Sequence, residues 1–449
     1  MKSIQFLGAA GMVTGSSYII TGDRGDRLLV DLGMFQGTEE IHRHNLDPLP
    51  DDIGTVNAVI LTHAHLDHCG RLPLIVKAGY EGKIYMTEPT YELLSIVLND
   101  VVSISERDSE AQQLYTRDEV EKIMQMAEIV FYHKPFTVGD FQVEYYDAGH
   151  IMGSASVLIT EQSTKKVLAC SGDIGNFPET IVRPTEFIER ADYVLMESTY
   201  GDRLHPVGDP REEIAKEIQA IEHTGGTLLI PAFSLERTQV LLHIIDHLKK
   251  SQVVRSDTAI FLDSPMGIRA TDIYRKFSQF YNDEMQEHDR IDDPFDFPGL
   301  VVTAETGESK QIRTHAGPKV IIAGSGMMTG GRIMYHAADF LPKKNTHLLI
   351  VGYMSEETIG REIQEGAQDV DIRRVRIPVR AKVKEISTLS AHADQGQLMS
   401  WFRSIKGVEK LFLVHGETGP RQTLQELVGK QNAHISVQLP LLGETASFV

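Results

Sequence analysis

The stretch Thr62-His63-Ala64-His65-Leu66-Asp67-His68 places three histidines and one aspartate within six consecutive positions. The apolar run before it, Ala58-Val59-Ile60-Leu61, predicts a short buried strand. The polar residues therefore follow the C-terminal end of that strand, where α/β sheets usually place their sites. The alternative is a solvated polar loop, which would need a partner for each buried member because an unpaired buried polar group is costly. The stretch favours a metal site.

The residue types in this stretch restrict the metal. Imidazole and carboxylate without a thiolate favour zinc or a similar borderline divalent ion, and manganese remains the alternative. The pattern allows two ions, since His63 and His65 alternate along the chain while Asp67 and His68 could face a second centre. Four side chains cannot complete two coordination shells, so we expect further ligands at other strand ends.

Other predicted strands also end in side chains that can bind a metal. These strand ends carry Asp31, His150, Asp173, Glu197, His392 and His415. One such residue alone is usually structural, but the central stretch makes a shared site the better interpretation. His150 and Asp173 are the additional ligands that two ions would require.

Helix start signals are clear at three places. Glu88-Pro89 opens a helix predicted to run to about Ser109, with proline in the first turn. Thr116-Arg117-Asp118-Glu119 is a capping box, and Asp209-Pro210 starts another helix. In contrast, the acidic segment 283–298 is predicted to be a loop between elements.

The pattern of elements changes twice along the chain. Short strands with tight turns dominate up to about Gly201, and strands then alternate with helices, which is typical of a parallel sheet with helices on both faces. From about Arg380 the first pattern returns. We predict one domain split in sequence with an α/β domain inserted into it, in the order 1–201, 202–378 and 379–449.

Composition excludes several classes of protein. Of the 449 residues, 41% are hydrophobic and 24% charged, which is ordinary for a globular protein, and no apolar run approaches the roughly 20 residues that cross a membrane. The start of the sequence shows no signal-peptide pattern. Two cysteines cannot build a disulfide framework, so we expect a cytoplasmic location. The formal charge of −19 argues against broad electrostatic attachment to nucleic acid or anionic membranes, but not against a local basic groove.

Taken together, these motifs resemble a known family. The stretch from His63 to His68 is similar to the signature of the metallo-β-lactamase superfamily. The superfamily's other motifs fall at Asp31, His150 and Asp173, and three further motifs of its β-CASP branch fall at Glu197, His392 and His415. The segments 231–237 and 324–332 resemble stretches of the β-CASP domain. The chain looks most like compact bacterial relatives of the nuclease subunit of the pre-mRNA 3′-end cleavage complex.

The resemblance implies a fold and a ligand set. The fold would be a four-layer αβ/βα sandwich with an inserted parallel α/β domain, and it would hold two zinc ions per chain. One ion would be bound by His63, His65 and His150, the other by Asp67, His68 and His415, with Asp173 bridging the two. Asp31 would stand behind the ligands and orient a histidine through its free ring N–H.

The implied activity is hydrolysis of single-stranded RNA, mainly as an endonuclease. A hydroxide shared between two divalent ions is a strong nucleophile at neutral pH. Asp67 would orient or deprotonate the attacking water, and His392 would donate a proton to the leaving oxygen while Glu197 holds its ring. Candidate phosphate contacts in the inserted domain are Ser234, Arg237, Ser325 and Arg332, and helix capping or surface charge is the alternative for each.

Two other functions stay open at this point. One is a scaffold that binds RNA or a partner protein without catalysis, which the complete ligand set disfavours. The other is hydrolysis of a small molecule, for which Glu197, His392 and the inserted domain are surplus but which the acidic charge favours. A monomer and a homodimer are both compatible with the sequence. For the remaining histidines, among them His243, His247 and His288, we expect surface or structural roles.

Overall fold

The computed structural model describes residues 1–107 and 112–448, which form two compact units. The first unit, here called the split unit, contains Met1–Leu204 and the chain from His392 onward. The second, the inserted unit, is His205–Ala391. The inserted unit thus extends to 391 rather than to the predicted 378, because a strand at Lys382–Glu385 pairs in parallel with Thr346–Ile350 of the inserted sheet.

The elements are numbered in chain order. The first segment of the split unit contains β1 Ser3–Phe6, β2 Tyr18–Thr21, β3 Arg27–Val30, α1 Glu39–Arg43, β4 Ala58–Ile60, α2 Leu66–Cys69, α3 Leu74–Lys77, β5 Lys83–Met86, α4 Glu88–Arg107, α5 Arg117–Met126, β6 Ala127–Ile129, β7 Phe136–Val138, β8 Phe141–Asp147, β9 Ala155–Glu161, β10 Val167–Cys170 and β11 Tyr193–Glu197. The inserted unit contains α6 Pro210–Thr224, β12 Thr227–Pro231, α7 Arg237–Lys250, β13 Ala259–Leu262, α8 Pro265–Lys276, α9 Asp283–Ile291, β14 Leu300–Val302, α10 Thr306–Gln311, β15 Lys319–Ala323, α11 Arg332–Phe340, β16 Thr346–Ile350, α12 Ile359–Gln364, β17 Asp369–Ile372, β18 Val375–Pro378 and β19 Lys382–Glu385. The second segment of the split unit contains α13 Gln395–Ser404, β20 Lys410–Val414, α14 Thr418–Gln431, β21 Ser436–Gln438 and β22 Thr445–Ser447.

The split unit is a four-layer sandwich. Its described strands form two sheets, in the orders β22-β1-β2-β3-β4-β5-β6 and β21-β20-β11-β10-β9-β8-β7. The apolar core between the sheets includes Phe6, Ile20, Tyr145 and Phe412. A second core packs α13 and α14 on the outer face of the second sheet, and α4 and α5 pack beside β5 and β6 of the first. The predicted fold class is confirmed.

The inserted unit is built on a parallel sheet. Its described strands have the order β14-β13-β15-β12-β16-β19, and each pairing in the sheet is parallel. The strands β12, β13, β15 and β16 are buried along their whole length, as expected for a sheet covered on both faces. The neighbouring helix α7 is likewise buried at most of its positions.

Local signals were mostly reliable, with one clear exception. The capping box at Thr116 and Glu119 is present, and Asp209 caps α6 with Pro210 in its first turn. The predicted end of α4 near Ser109 lies outside the described residues. The prediction of a loop at 283–298 was wrong in its first half, because Asn282 accepts a hydrogen bond from the Met285 backbone N–H and starts α9.

In the part of the chain that the structure describes, no helix combines the length and the apolar composition needed to cross a membrane.

Candidate metal centre

The predicted ligands follow strand ends in both sheets of the split unit. His63 and His65 lie between β4 and α2, and Asp67 and His68 lie on α2 itself. The remaining side chains follow strands of the second sheet or precede α13, namely His150 after β8, Asp173 after β10, His415 after β20 and His392 before α13. Asp31, which follows β3, and His415 adopt left-handed backbone conformations, with φ of 56° and 46°. Such conformations cost about 1–3 kcal/mol and persist where the surrounding structure enforces them.

Four side chains form a first ligand group. His65 Nδ1 lies 3.2 Å from His63 Nε2 and 3.0 Å from His150 Nε2. Asp173 Oδ2 lies 3.5 Å from both Nε2 atoms. Burial lowers the pKa of His65 to about 4 and that of His63 well below its usual value, so these rings are neutral at pH 7. Three ring nitrogens and one carboxylate oxygen thus converge on one point.

The spacing in this group fits a cation. A tetrahedral site with metal–nitrogen distances of about 2.0–2.1 Å separates its ligand atoms by roughly 3.3 Å. The contacts of 3.0–3.5 Å among His63, His65, His150 and Asp173 bracket that separation. The four side chains could therefore hold one ion without rearrangement.

A second group shares Asp173 with the first. His415 Nε2 lies 3.2 Å from Asp67 Oδ2, and His68 Nε2 lies 3.2 Å from Asp173 Oδ1. Asp173 Oδ1 is buried and has no hydrogen-bond partner among the described residues. Despite the burial, His415, His68 and His392 hold the pKa of Asp173 well below its usual value. The carboxylate is thus charged, with one oxygen facing each group, and the residues fit two cations.

Residues behind the ligands orient their rings. His68 Nδ1 donates to Asp31 Oδ2 at 2.8 Å, which turns His68 Nε2 toward Asp173. Despite burial, Asp173 and Asp31 raise the pKa of His68, so a cation at this position would displace the Nε2 proton. Thr62 donates to Asp31 through both its backbone N–H and its hydroxyl, each at 2.8 Å. His415 Nδ1 lies 3.0 Å from Thr199 Oγ1, whose hydroxyl donates to Glu197 Oε2 at 2.6 Å. Sequence analysis missed the two threonines, although Thr62 adjoins His63 and Thr199 lies two positions after Glu197.

A histidine–carboxylate pair borders both groups. His392 Nδ1 lies 3.2 Å from Glu197 Oε1 and 4.0 Å from Asp173 Oδ2. Glu197 is fixed in turn by the Ile174 backbone N–H, which donates to Oε1 at 2.7 Å. Burial disfavours a charged ring, but Glu197 and Asp173 outweigh it and raise the pKa of His392 to about 9. His392 therefore carries a proton at neutral pH. It also lies within ligand distance of Asp173 and His415.

The four candidate phosphate contacts all lie in the inserted unit. Their partners there are the hydroxyl of Ser264 for Ser234, Glu236 for Arg237 at 3.2 Å, the backbone N–H of Thr329 for Ser325, and Asp263 for Arg332 at 2.7 Å. Arg332 also donates to the Thr303 and Ala304 carbonyls. Each of the four thus has an intramolecular role, and phosphate contact stays a prediction.

Comparisons with known proteins agree with this geometry. Family models match the chain at residues 10–152 (metallo-beta-lactamase superfamily), 238–363 (Beta-Casp domain) and 376–440 (Zn-dependent metallo-hydrolase RNA specificity domain). The chain is similar to Ribonuclease TTHA0252 of Thermus thermophilus, at 35% identity over 97% of this chain and 98% of that protein. It is also similar to Cleavage and polyadenylation specificity factor 73 of Drosophila melanogaster, at 28% identity over 93% and 60% of the two chains. A crystal structure of a protein of unknown function from Enterococcus faecalis shares the fold, with a TM-score of 0.55 at 12% identity and full coverage of both chains.

Proposed function

We propose a specific reaction for this chain, which belongs to the β-CASP ribonuclease family of the metallo-β-lactamase superfamily: zinc-dependent hydrolysis of single-stranded RNA, mainly at internal phosphodiester bonds. The chain is an RNA-processing metal-dependent hydrolase, and the proposal adds the metal, the substrate form and the mode of cutting. The observation that carries it is the pair of ligand groups sharing Asp173, with the protonated His392 beside them.

The cofactor we propose is two Zn²⁺ per chain. His63, His65 and His150 would hold one ion, Asp67, His68 and His415 the other, and Asp173 would contribute to both. When bound, two divalent ions would supply an activated water molecule and stabilise the charge that develops on the phosphoryl oxygens.

The chain's own residues would manage the protons. Asp67 Oδ2 lies 3.2 Å from His415 Nε2 at the edge of the second group, where a carboxylate can orient the attacking water. His392 would donate its Nε2 proton to the leaving oxygen, since its Nδ1 faces Glu197. Glu197 would thus act as a positioning residue that keeps the His392 ring charged. Asp31 would position the ring of His68 for metal binding.

We also propose an RNA-binding role for the inserted unit and a reducing, cytoplasmic compartment. Ser234, Arg237, Ser325 and Arg332 stand at loops or helix N-termini, which suit phosphate recognition. The compartment is supported by Cys69 and Cys170, which are both free and buried.

The proposal is tested with end-labelled single-stranded RNA and zinc-loaded protein. We expect internal cuts by the wild type, slowing of about 10²–10⁴-fold in His392→Ala at unchanged metal content, and wild-type cutting by His434→Ala, which removes an exposed histidine. Cutting that survives metal chelation would identify a contaminant. A fully metal-loaded wild type that cuts no RNA would refute the nuclease, and equal cutting by His392→Ala would refute the acid role.

A further inference from the structure

A second group of three histidines lies within the inserted unit. His243 and His247 are four residues apart on α7, a spacing that places both side chains on one face of a helix. His288 reaches them from α9. One ring nitrogen of each residue lies within 4.8 Å of the others. This group uses none of the residues assigned to RNA hydrolysis.

One ring nitrogen of each histidine in this group lacks a hydrogen-bond partner. His243 Nδ1, His247 Nε2 and His288 Nδ1 are all buried, and none has a hydrogen-bond partner within residues 1–107 and 112–448. An isolated buried nitrogen of this kind costs roughly 1–3 kcal/mol. Three such nitrogens in one place indicate a shared partner. Without one, rotation of the side chains could bring at least some of the nitrogens into contact with solvent.

Ring spacing in this group matches that of the first ligand group. The centroids of His243, His247 and His288 are 4.5, 4.9 and 5.2 Å apart. Those of His63, His65 and His150 are 5.0, 5.0 and 4.9 Å apart. The same chain therefore contains two three-histidine arrangements of nearly the same size.

The surrounding charges are compatible with a cation. His288 Nε2, the nitrogen on the opposite side of the ring from the buried Nδ1, lies 3.0 Å from Lys250 Nζ and 3.1 Å from the buried Asp246 carboxylate. A carboxylate at that position is the usual support of a metal-binding histidine. The two nearby cationic side chains are paired with carboxylates. Lys250 lies 2.9 Å from Asp246 and 3.1 Å from Asp292, and Arg211 lies 3.4 Å from Glu284.

We propose that His243, His247 and His288 bind one divalent cation of the zinc class, which joins α9 to α7. Three imidazoles suit zinc, and a solvent molecule can complete the coordination. The helix α9 has nine residues and buries only Met285, so its own propensity and packing hold it weakly. A metal crosslink would supply the missing stabilisation. The site is structural, and it is independent of the proposed ribonuclease activity.

The test counts metal in a protein whose catalytic groups are disabled. His63→Ala/His68→Ala removes one ligand from each group of the split unit, and metal is measured by elemental analysis after dialysis against micromolar zinc. We expect one equivalent in this background and none when His247→Gln is added. His223→Gln, an exposed histidine of α6, should leave the equivalent in place. We also expect zinc to raise the denaturation temperature of the background but not of the His247→Gln form.

Each outcome decides the proposal. If the His63→Ala/His68→Ala protein contains no zinc, the proposal is overturned, and no further variant is needed. An equivalent that survives His247→Gln, with a normal circular dichroism spectrum, would also overturn it. If His247→Gln does not fold, His288→Gln on the peripheral α9 takes its place under the same criteria. None of these readouts depends on whether the protein cuts RNA.

Discussion

Single hydrogen bonds orient two of the proposed ligands of the candidate metal centre, His68 and His415. His68 is the clearest case, because Asp31 accepts its Nδ1 proton and the opposite nitrogen is thereby directed at Asp173. Thr199 has the same relation to His415. A ring whose tautomer is fixed in advance loses less freedom when a metal binds. The cost of this preparation is visible in the backbone, where Asp31 and His415 both have positive φ.

Asp147 predicts a pH dependence of stability. Burial, with a smaller contribution from Glu186, raises its pKa to about 8 in the folded protein, against an ordinary value of 3.8. The folded state therefore prefers the protonated acid, so its stabilising contribution is complete below about pH 4 and is lost as the pH rises to about 8. In this window the free energy of unfolding should fall by about 1.4 kcal/mol per pH unit from this group.

The measurement is a denaturant series from pH 4 to 9 on wild type and Asp147→Asn. Asparagine keeps the Oδ1 acceptor for the Gly149 backbone N–H, which donates at 3.0 Å. We expect the stability of Asp147→Asn relative to wild type to rise across the window, and that of the exposed Asp51→Asn to stay level. Parallel pH profiles for wild type and Asp147→Asn would contradict the raised pKa.

At the scale of elements, the loop after β3 determines where α2 lies. A Cβ on Gly33 would stand 1.6 Å from the Asp67 carbonyl oxygen, a distance that no side chain can occupy. The Leu32 and Met34 backbone N–H groups also donate to carbonyls of His68 and Leu66, each at 2.9 Å. The loop and the ligand helix therefore move together.

We expect Gly33→Ala to displace α2 and to weaken metal binding at the split unit by at least tenfold. The measure is competition with a chelator of known affinity, in a His247→Gln background so that the inserted unit does not contribute. Gly419→Ala serves as the control, because its Cβ would meet no atom within 4 Å and alanine favours a helix. Unchanged affinity in Gly33→Ala would show that α2 tolerates the shift.

Elements near a strong local sequence signal were predictable. The way in which distant residues come together in space was not. The dense histidine motif, the caps at Thr116 and Asp209 and the alternation after Gly201 are all local in sequence. In contrast, α9 was missed because its acidic composition resembles a loop, while the buried Met285 and the Asn282 cap that stabilise it are single residues. The histidine pair His243 and His247 had a usable signal in its four-residue spacing, but the third member comes from that missed helix.

At the scale of the whole molecule, the fold class and the existence of an insertion could be predicted. That His415 meets Asp67 across roughly 350 residues could not be derived from spacing, and only the family resemblance indicated it. The end of the insertion was also misplaced, since β19 joins the inserted sheet through backbone pairing that its exposed sequence does not reveal.

The single tryptophan allows a test of metal binding by one unit. Trp401 lies on α13 and is fully buried in the core of the split unit, so its fluorescence reports on that unit. We expect a chelator to lower the denaturation midpoint of wild type. The free energy of unfolding should fall by about 2.7 kcal/mol where free metal had exceeded its dissociation constant a hundredfold. His63→Ala/His68→Ala should show a far smaller change. Equal wild-type midpoints with and without chelator would mean that no metal binds the folded unit.

The insertion divides the split unit in sequence, and this affects the order in which its residues are synthesised. During synthesis, His63, His65, His150 and Asp173 emerge early, whereas His392 and His415 follow only after the whole inserted unit. About 240 residues separate Asp173 from His415, which a ribosome adds in roughly 12–50 seconds at about 5–20 residues per second. The first ligand group can thus be complete while the second still lacks His415, and the proposed proton donor His392 has not yet been synthesised. Under the proposed function, a nascent chain would have no ribonuclease activity until its last segment is made. During that interval it would not cut the messenger RNA on which it is translated.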